Sequence, residues 1–360
     1  MSGDTNIEWA DKVWNPVTGC TKIGDGCLNC YAERMSKRLV GRCGYPADDP
    51  FKVTLHPKRL DEPLRWKKPQ RIFVCSMSDL FHEDVPDEFI AAAFNKMRLA
   101  KNHIFLILTK RPERMKKWLN RVDEWGGWHT HDGRPPLGTV SGHCEATGIV
   151  VGGKTWPLSN VHLGVSVEDQ KTADERIPLL LQTPASKRFV SYEPALGPVD
   201  FTKLIYRYKG LTCRVNALHA EVICLNTCST MDSPAAKRSL DQIIMGGESG
   251  PRARPLHPDW ARSVRDQCKD AGVPFFFKQW GEWQPKRESN VRYKEYAGQL
   301  IASTIISSTD KKRVGKVSYI AYPPVITEDR KVGPFERMRR VGKKAAGARL
   351  DDKEHREILG

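Results

Sequence analysis

Short, nearly continuous runs of apolar and β-branched residues recur along the chain, and each ends in polar residues ahead of a helix-like stretch. The runs are Arg71–Cys75, ending in Ser76, Ser78 and Asp79; Ile104–Leu108, ending in Thr109, Lys110 and Arg111; Val161–Val165, ending in Ser166, Glu168 and Asp169; Arg188–Val190, ending in Ser191, Tyr192 and Glu193; Gln242–Met245, ending in Gly246, Gly247 and Glu248; and Val273–Phe277, ending in Lys278 and Gln279. Strands buried on both faces of a parallel sheet read this way. Pro86–Met97 and Pro258–Cys268 carry helical patterning, each with Pro at its start and acidic residues in its first turn. Ala271-Gly272 supplies a C-cap for the second. Six such βα units and a further strand around Trp14 predict an α/β protein built as a full or partial TIM-type (β/α) barrel. An open doubly wound sheet is the alternative. Both gather the polar run-ends at the C-terminal edge of the strands, where such folds carry function.

Two stretches interrupt the alternation. Residues 125–157, rich in Gly, His and Trp, read as a long loop or small β insertion. Residues 206–239 hold Cys213, Cys224 and Cys228, which with His219 are weak candidates for a second metal. The barrel is therefore expected over 1–287 with insertions at about 125–157 and 206–239. A basic C-terminal extension follows over 288–360, with one strand-like patch at Lys316–Tyr322 and basic residues concentrated from Arg337 to Arg349.

Composition adds a partner. Lys and Arg exceed Asp and Glu by 15, and the pI is near 9.4, which points to a polyanion, most simply nucleic acid. Ten tryptophans offer stacking faces for bases, although most are expected in the core. No run of about 18 apolar residues is present, so no transmembrane helix is expected. The start carries no signal-peptide pattern, and cysteines such as Cys75 lie in strand-like runs, so a reducing cytoplasm is expected.

Near the N-terminus, Cys20, Cys27 and Cys30 are spaced C-x6-C-x2-C. A structural zinc site usually takes four protein ligands, and three thiolates fall one short. A [4Fe–4S] cluster on three cysteines keeps one iron open, and in radical chemistry the amino and carboxylate groups of S-adenosylmethionine (SAM) occupy it. Gly19, Gly24 and Gly26 suit a loop wrapped around such a cluster. A zinc knuckle completed by Cys43 and a disulfide framework are the alternatives.

Eight segments in order resemble the phage and bacterial three-cysteine-motif proteins, a family of unknown function related to radical SAM enzymes. They are Trp14–Cys20, Cys27–Met35, Ser76–Leu80, Leu108–Met115, Gly164–Asp169, Ser191–Pro194, Gly246–Gly250 and Phe275–Gly281, and Val341–Gly347 resembles the C-terminal signature. The resemblance implies a radical SAM barrel and a SAM-dependent enzyme, most simply an isomerase. Two departures stand out. The common radical SAM spacing is C-x3-C-x2-C with an aromatic before the last Cys, and here the first gap is six and Asn29 takes that place. Gly246-Gly247-Glu248 lies late in the chain, where the usual Gly-Gly-Glu motif comes early.

Site expectations follow. Cys20, Cys27 and Cys30 are the cluster ligands. Ser76, Ser78 and Asp79 would hold the SAM amino group or ribose, and Lys110 and Arg111 its carboxylate or a substrate phosphate. Glu168, Glu193 and Glu248 would bind ribose hydroxyls or an amine, or neutralise Lys110, Arg111 and Lys278; they could also hold a divalent metal. The expected function is a phage-encoded radical SAM isomerase that rearranges a substituent on a modified thymine in DNA, a hypermodification that evades host restriction. Its substrate would be DNA or a nucleotide, a base within DNA being flipped to reach the mouth. Flavodoxin or ferredoxin would donate electrons. The alternatives are a radical SAM lesion-repair lyase and a zinc-stabilised nucleic-acid-binding protein without catalysis.

Overall fold

The computed structural model describes residues 3–125, 157–285, 305–306, 319–322 and 336–359. Eight strands form the central sheet: β1 (Gly3–Asp4), β2 (Lys12–Trp14), β3 (Arg71–Val74), β4 (Ile104–Thr109), β5 (Val161–Val167), β6 (Lys187–Tyr192), β7 (Gln242–Gly246) and β8 (Phe275–Gln279). Their order in space is their order in the chain. β1 is antiparallel to β2, and every later pairing is parallel. A doubly wound sheet reverses its strand order at a switch point. This one does not, so that alternative falls.

The helices confirm a single direction of winding. They are α1 (Tyr31–Ser36), α2 (Asp87–Leu99), α3 (Pro112–Trp125), α4 (Gln170–Leu181) and α5 (Pro258–Ala271). Pro86 caps α2, and Gly272 ends α5 in the left-handed conformation (φ 66°), as the sequence predicts. Successive strand residues alternate between two cores. Ile72, Val74, Ile107, Val165, Val190 and Met245 pack with Ile90, Phe94, Trp118, Ile177 and Val264 of the helices. Phe73, Leu106, Phe189, Ile244 and Phe276 face the other way and pack with Trp9. Helices on one face and a smaller apolar layer on the other are the arrangement of a barrel wall.

Among the described residues no ladder joins β8 to β1 or β2, so the closed form of the barrel is not seen. The chain ends occupy the two edges instead. Phe277 N donates to His355 O at 2.9 Å, Arg356 pairs with Glu8, and the Arg356 guanidinium lies 5.0 Å from the centre of the Phe276 ring. The last described residues thus pack on the sheet. Of the expected extension, the described strands Glu336–Arg340, Tyr319–Tyr322 and Ile305–Ile306 form a small antiparallel sheet together with Trp283–Pro285, which precedes it in the chain.

Between β6 and β7 the chain builds an antiparallel sheet from Leu204–Tyr208, Leu211–Asn216, Glu221–Cys224 and Ser229–Thr230. Cys213 and Cys224 face one another in register and are buried with free thiols, while Cys228 is exposed. The other expected insertion, 125–157, lies almost wholly outside the described residues.

Candidate active site at the C-terminal edge of the sheet

A cavity of about 370 Å³ opens at the C-terminal ends of the strands. Cys20, Cys27 and Cys30 all line it, each partly buried with a free thiol. Their loop follows β2 and folds over the strand ends. It does so by close contact: a Cβ on Gly26 would lie 2.3 Å from Glu168 Oε1, so any larger residue would have to displace that carboxylate.

Arg111 anchors the start of this loop. It is buried, and its guanidinium reaches Thr21 Oγ1 at 2.8 Å, Glu83 Oε2 at 2.9 Å, Asp79 Oδ2 at 3.3 Å and Cys20 Sγ at 3.5 Å. Burial, reinforced by the Asp79 charge, pushes the Cys20 thiol up to about 11 against the opposing pull of Arg111. Binding to iron would therefore displace a proton from Cys20.

Asp79 is a brace. It accepts from Thr109 Oγ1 at 2.8 Å, from Lys110 N at 3.0 Å and from Phe81 N at 2.9 Å. Ser76 Oγ donates to Asn15 Oδ1 at 3.2 Å, and Ser78 Oγ to Val17 O at 2.8 Å, so both expected SAM contacts also tie β3 to β2. Lys110 pairs with Glu168, whose other oxygen accepts from Arg176 at 2.8 Å. Burial lowers Lys110 to about 8, partly offset by the nearby Cys27 and Cys30. Glu168 is buried beneath the cysteine loop rather than on the cavity wall.

Glu248 does not face the cavity as a free carboxylate. Arg254 donates to it from N at 2.8 Å, from Nε at 2.9 Å and from Nη2 at 2.7 Å, and Asn29 Nδ2 donates at 3.0 Å. Burial acts to raise its pKa, and these bonds outweigh burial and hold it below the usual range. Arg254 also reaches Asp25 O at 2.9 Å, and Arg34 reaches Ser249 O at 3.2 Å. The Gly246-Gly247-Glu248 turn thus clamps the cysteine loop. Gly247 has its own reason: a Cβ there would lie 2.1 Å from Trp280 O.

Glu193 and Lys278 form the opposite wall. Both carboxylate oxygens accept from Lys278 Nζ at 2.8 Å, and Gln279 Nε2 is 3.4 Å away. Gln279 lines the cavity, and its Oε1 is buried without a protein partner among the described residues. Such an acceptor is costly unless something donates to it. Below lie Phe73, Leu108, Trp9 and Cys75.

The cavity therefore gathers ten of the eleven expected residues, all but Glu168. The three carboxylates do not form a cation site, since each is separately paired with Lys or Arg. Among the described residues no group of three Cys, His, Asp or Glu is arranged around one metal ion. A cubane cluster spreads its thiolates over three irons, so its ligands stand wider apart than those of one ion. Three free thiols lining one cavity suit that donor set, whereas Cys43, the knuckle's fourth ligand, is exposed. Sequence reasoning missed Arg254 and Arg176, for which no local signal exists, and assigned no role to Asn15, although it lies in the Trp14–Cys20 segment. Asn29 carried one, since it occupies a place where the radical SAM pattern has an aromatic.

The chain belongs to the family described as protein of unknown function (DUF5131), whose model matches residues 4–359. No curated protein matches it. Among solved structures it is similar to a cysteine-to-serine mutant of spore photoproduct lyase, at 11% identity and a TM-score of 0.34, covering 82% of this chain and 69% of that one. It is also similar to spore photoproduct lyase complexed with dinucleoside spore photoproduct, at 10% identity and a TM-score of 0.33, covering 81% and 69%. Overlaps at that level leave function to be argued from the site itself.

Proposed function

We propose that this chain is a radical SAM enzyme acting on nucleic acid or a nucleotide. The observation that carries the reading is the convergence of Cys20, Cys27 and Cys30 on one cavity at the C-terminal edge of a singly wound parallel sheet. A [4Fe–4S] cluster held by these thiolates would supply the electron that cleaves SAM to a hydrogen-abstracting radical. The chain's own residues do the rest. Arg111 positions the Cys20 end of the loop, and Asn29, Glu248 and Arg254 position the Cys30 end. Lys110 places a cation close to Cys27 and Cys30. Lys278 and Glu193 offer a donor and an acceptor to the zwitterionic end of a ligand, and Gln279 Oε1 offers a further acceptor. The apolar floor keeps water from the reacting carbon.

The excess of 15 positive charges supports a polyanionic substrate. The specific reaction proposed is rearrangement of a substituent on a thymine base of DNA, as an isomerase in phage DNA hypermodification, with flavodoxin or ferredoxin as donor. Anaerobic reconstitution with iron and sulfide tests the reading. A brown protein with about four irons, lost in Cys27→Ala, and SAM cleavage under dithionite are expected. A colourless wild-type protein that binds one zinc would overturn it.

A further inference from the structure

Large apolar side chains are exposed at nine described positions, and five of them fall between residues 23 and 40: Ile23, Leu28, Met35 and Val40, none of which lines the cavity, and Tyr31, which does. This is the segment that carries the last two cysteines. Cys27 and Cys30 line the cavity, whereas Leu28 between them does not and is 58% exposed. Leu28, and with it Ile23, Met35 and Val40, which are likewise exposed and outside the cavity lining, therefore mark the outer face of this segment. Scattered single apolar residues need no explanation, but a concentration of them marks an interaction site.

The charge along this segment is net positive. Lys22, Arg34, Lys37, Arg38 and Arg42 stand against Asp25 and Glu33, and Glu33 is already paired with both Lys22 and Lys37. Arg38 and Arg42 are exposed and form no ion pair among the described residues. Residues 286–335 of this chain do not complement that charge, with ten Lys and Arg against five Asp and Glu. An acidic partner does.

We infer that the outer face of the cysteine loop, Ile23, Leu28, Met35 and Val40 ringed by Arg38 and Arg42, is the docking surface for an acidic one-electron carrier protein. The inference rests on the radical SAM reading. Each SAM cleavage consumes one electron, which the carrier loses and the cluster gains. Electron transfer falls steeply with distance, and the thin Leu28 loop is a route to the thiolates that leaves the cavity free for SAM and substrate. Small apolar contacts steered by charge suit transient redox partners, which bury less surface than stable complexes. Nucleic acid is the competing polyanion, but it has to reach the cavity mouth rather than the back of this loop.

The probe is flavodoxin, an acidic FMN protein, titrated into the reconstituted enzyme by calorimetry. Arg38→Glu/Arg42→Glu and, separately, Met35→Glu should each weaken its binding about tenfold or more. Iron content and dithionite-driven SAM cleavage should match the wild type, since dithionite needs no docking surface. Unchanged flavodoxin affinity in both variants would overturn the assignment. Loss of affinity for a short single-stranded DNA, with flavodoxin binding intact, would also overturn it and give the face to nucleic acid. Absence of dithionite-driven cleavage in the wild type would overturn the radical SAM reading itself, and with it the need for a donor.

Discussion

Asn29 Nδ2 donates to Glu248 Oε2 at 3.0 Å, joining residues 219 positions apart. The bond ties the segment between the second and third cysteines to the turn after β7, and Arg254 reinforces it from the same carboxylate. Glu248 in this position is a holder of the loop.

Removing the Glu248 charge should therefore loosen the cysteine loop before it affects anything else. Glu248→Gln leaves the Arg254 guanidinium with a neutral acceptor, and a loss of about 2 kcal/mol is expected. Iron per chain after reconstitution should drop, and a chelator should strip it faster. Retention equal to wild type would show that the clamp is dispensable.

Gly26→Ala tests the close approach on the other side. The new Cβ would lie 2.3 Å from Glu168 Oε1 and must displace that carboxylate from Lys110 and Arg176. A cost of about 1–3 kcal/mol in urea unfolding is expected, together with poor iron incorporation. Normal iron content would mean that the loop can move away from α4.

At Arg111 even the conservative change should matter. A lysine cannot reach Thr21, Glu83, Asp79 and Cys20 together, because it lacks the planar fork. Arg111→Lys is expected to lower stability by about 2 kcal/mol and to reduce iron retention. Arg111→Met should be worse, because it leaves Asp79 without its cation.

Acid sensitivity should come in part from His162. The residue is buried, its Nδ1 has no partner among the described residues, and burial lowers its pKa to about 4 from an ordinary value of 6.5. The unfolded chain then binds the extra proton first. The contribution is fully present above pH 6.5 and is lost as pH falls toward 4. Its full size is on the order of 3 kcal/mol. His162→Gln should flatten the fall in unfolding free energy across that window, while His56, lowered to about 4 by burial, maintains a residual slope. A variant with the wild-type slope would exclude His162 as a source.

Much of the strand and helix plan is readable because burial writes itself locally. A strand covered on both faces must be apolar throughout, so Ile104–Leu108 and Gln242–Met245 announce themselves, as does the helix opened by Pro86 and the one closed by Gly272. The polar residues after each strand follow from the same logic, since parallel strands deliver their ends to one edge. The three cysteines are readable because their spacing is short and their chemistry narrow.

What pairs with what is not local. Nothing near Glu248 in sequence says that Asn29 will donate to it, or that Arg254 will hold it. Glu168 and Glu193 are alike in sequence, each closing a strand, yet one is sealed beneath Gly26 and the other faces the cavity. The Arg356–Glu8 pair joins the two ends of the chain, and no window of sequence contains both. The sequence by itself determined the βα succession, the edge that carries the chemistry and the three thiols. Only the tertiary structure decided which charged groups face the cavity and which neutralise one another, because those choices depend on distances between residues far apart in the chain.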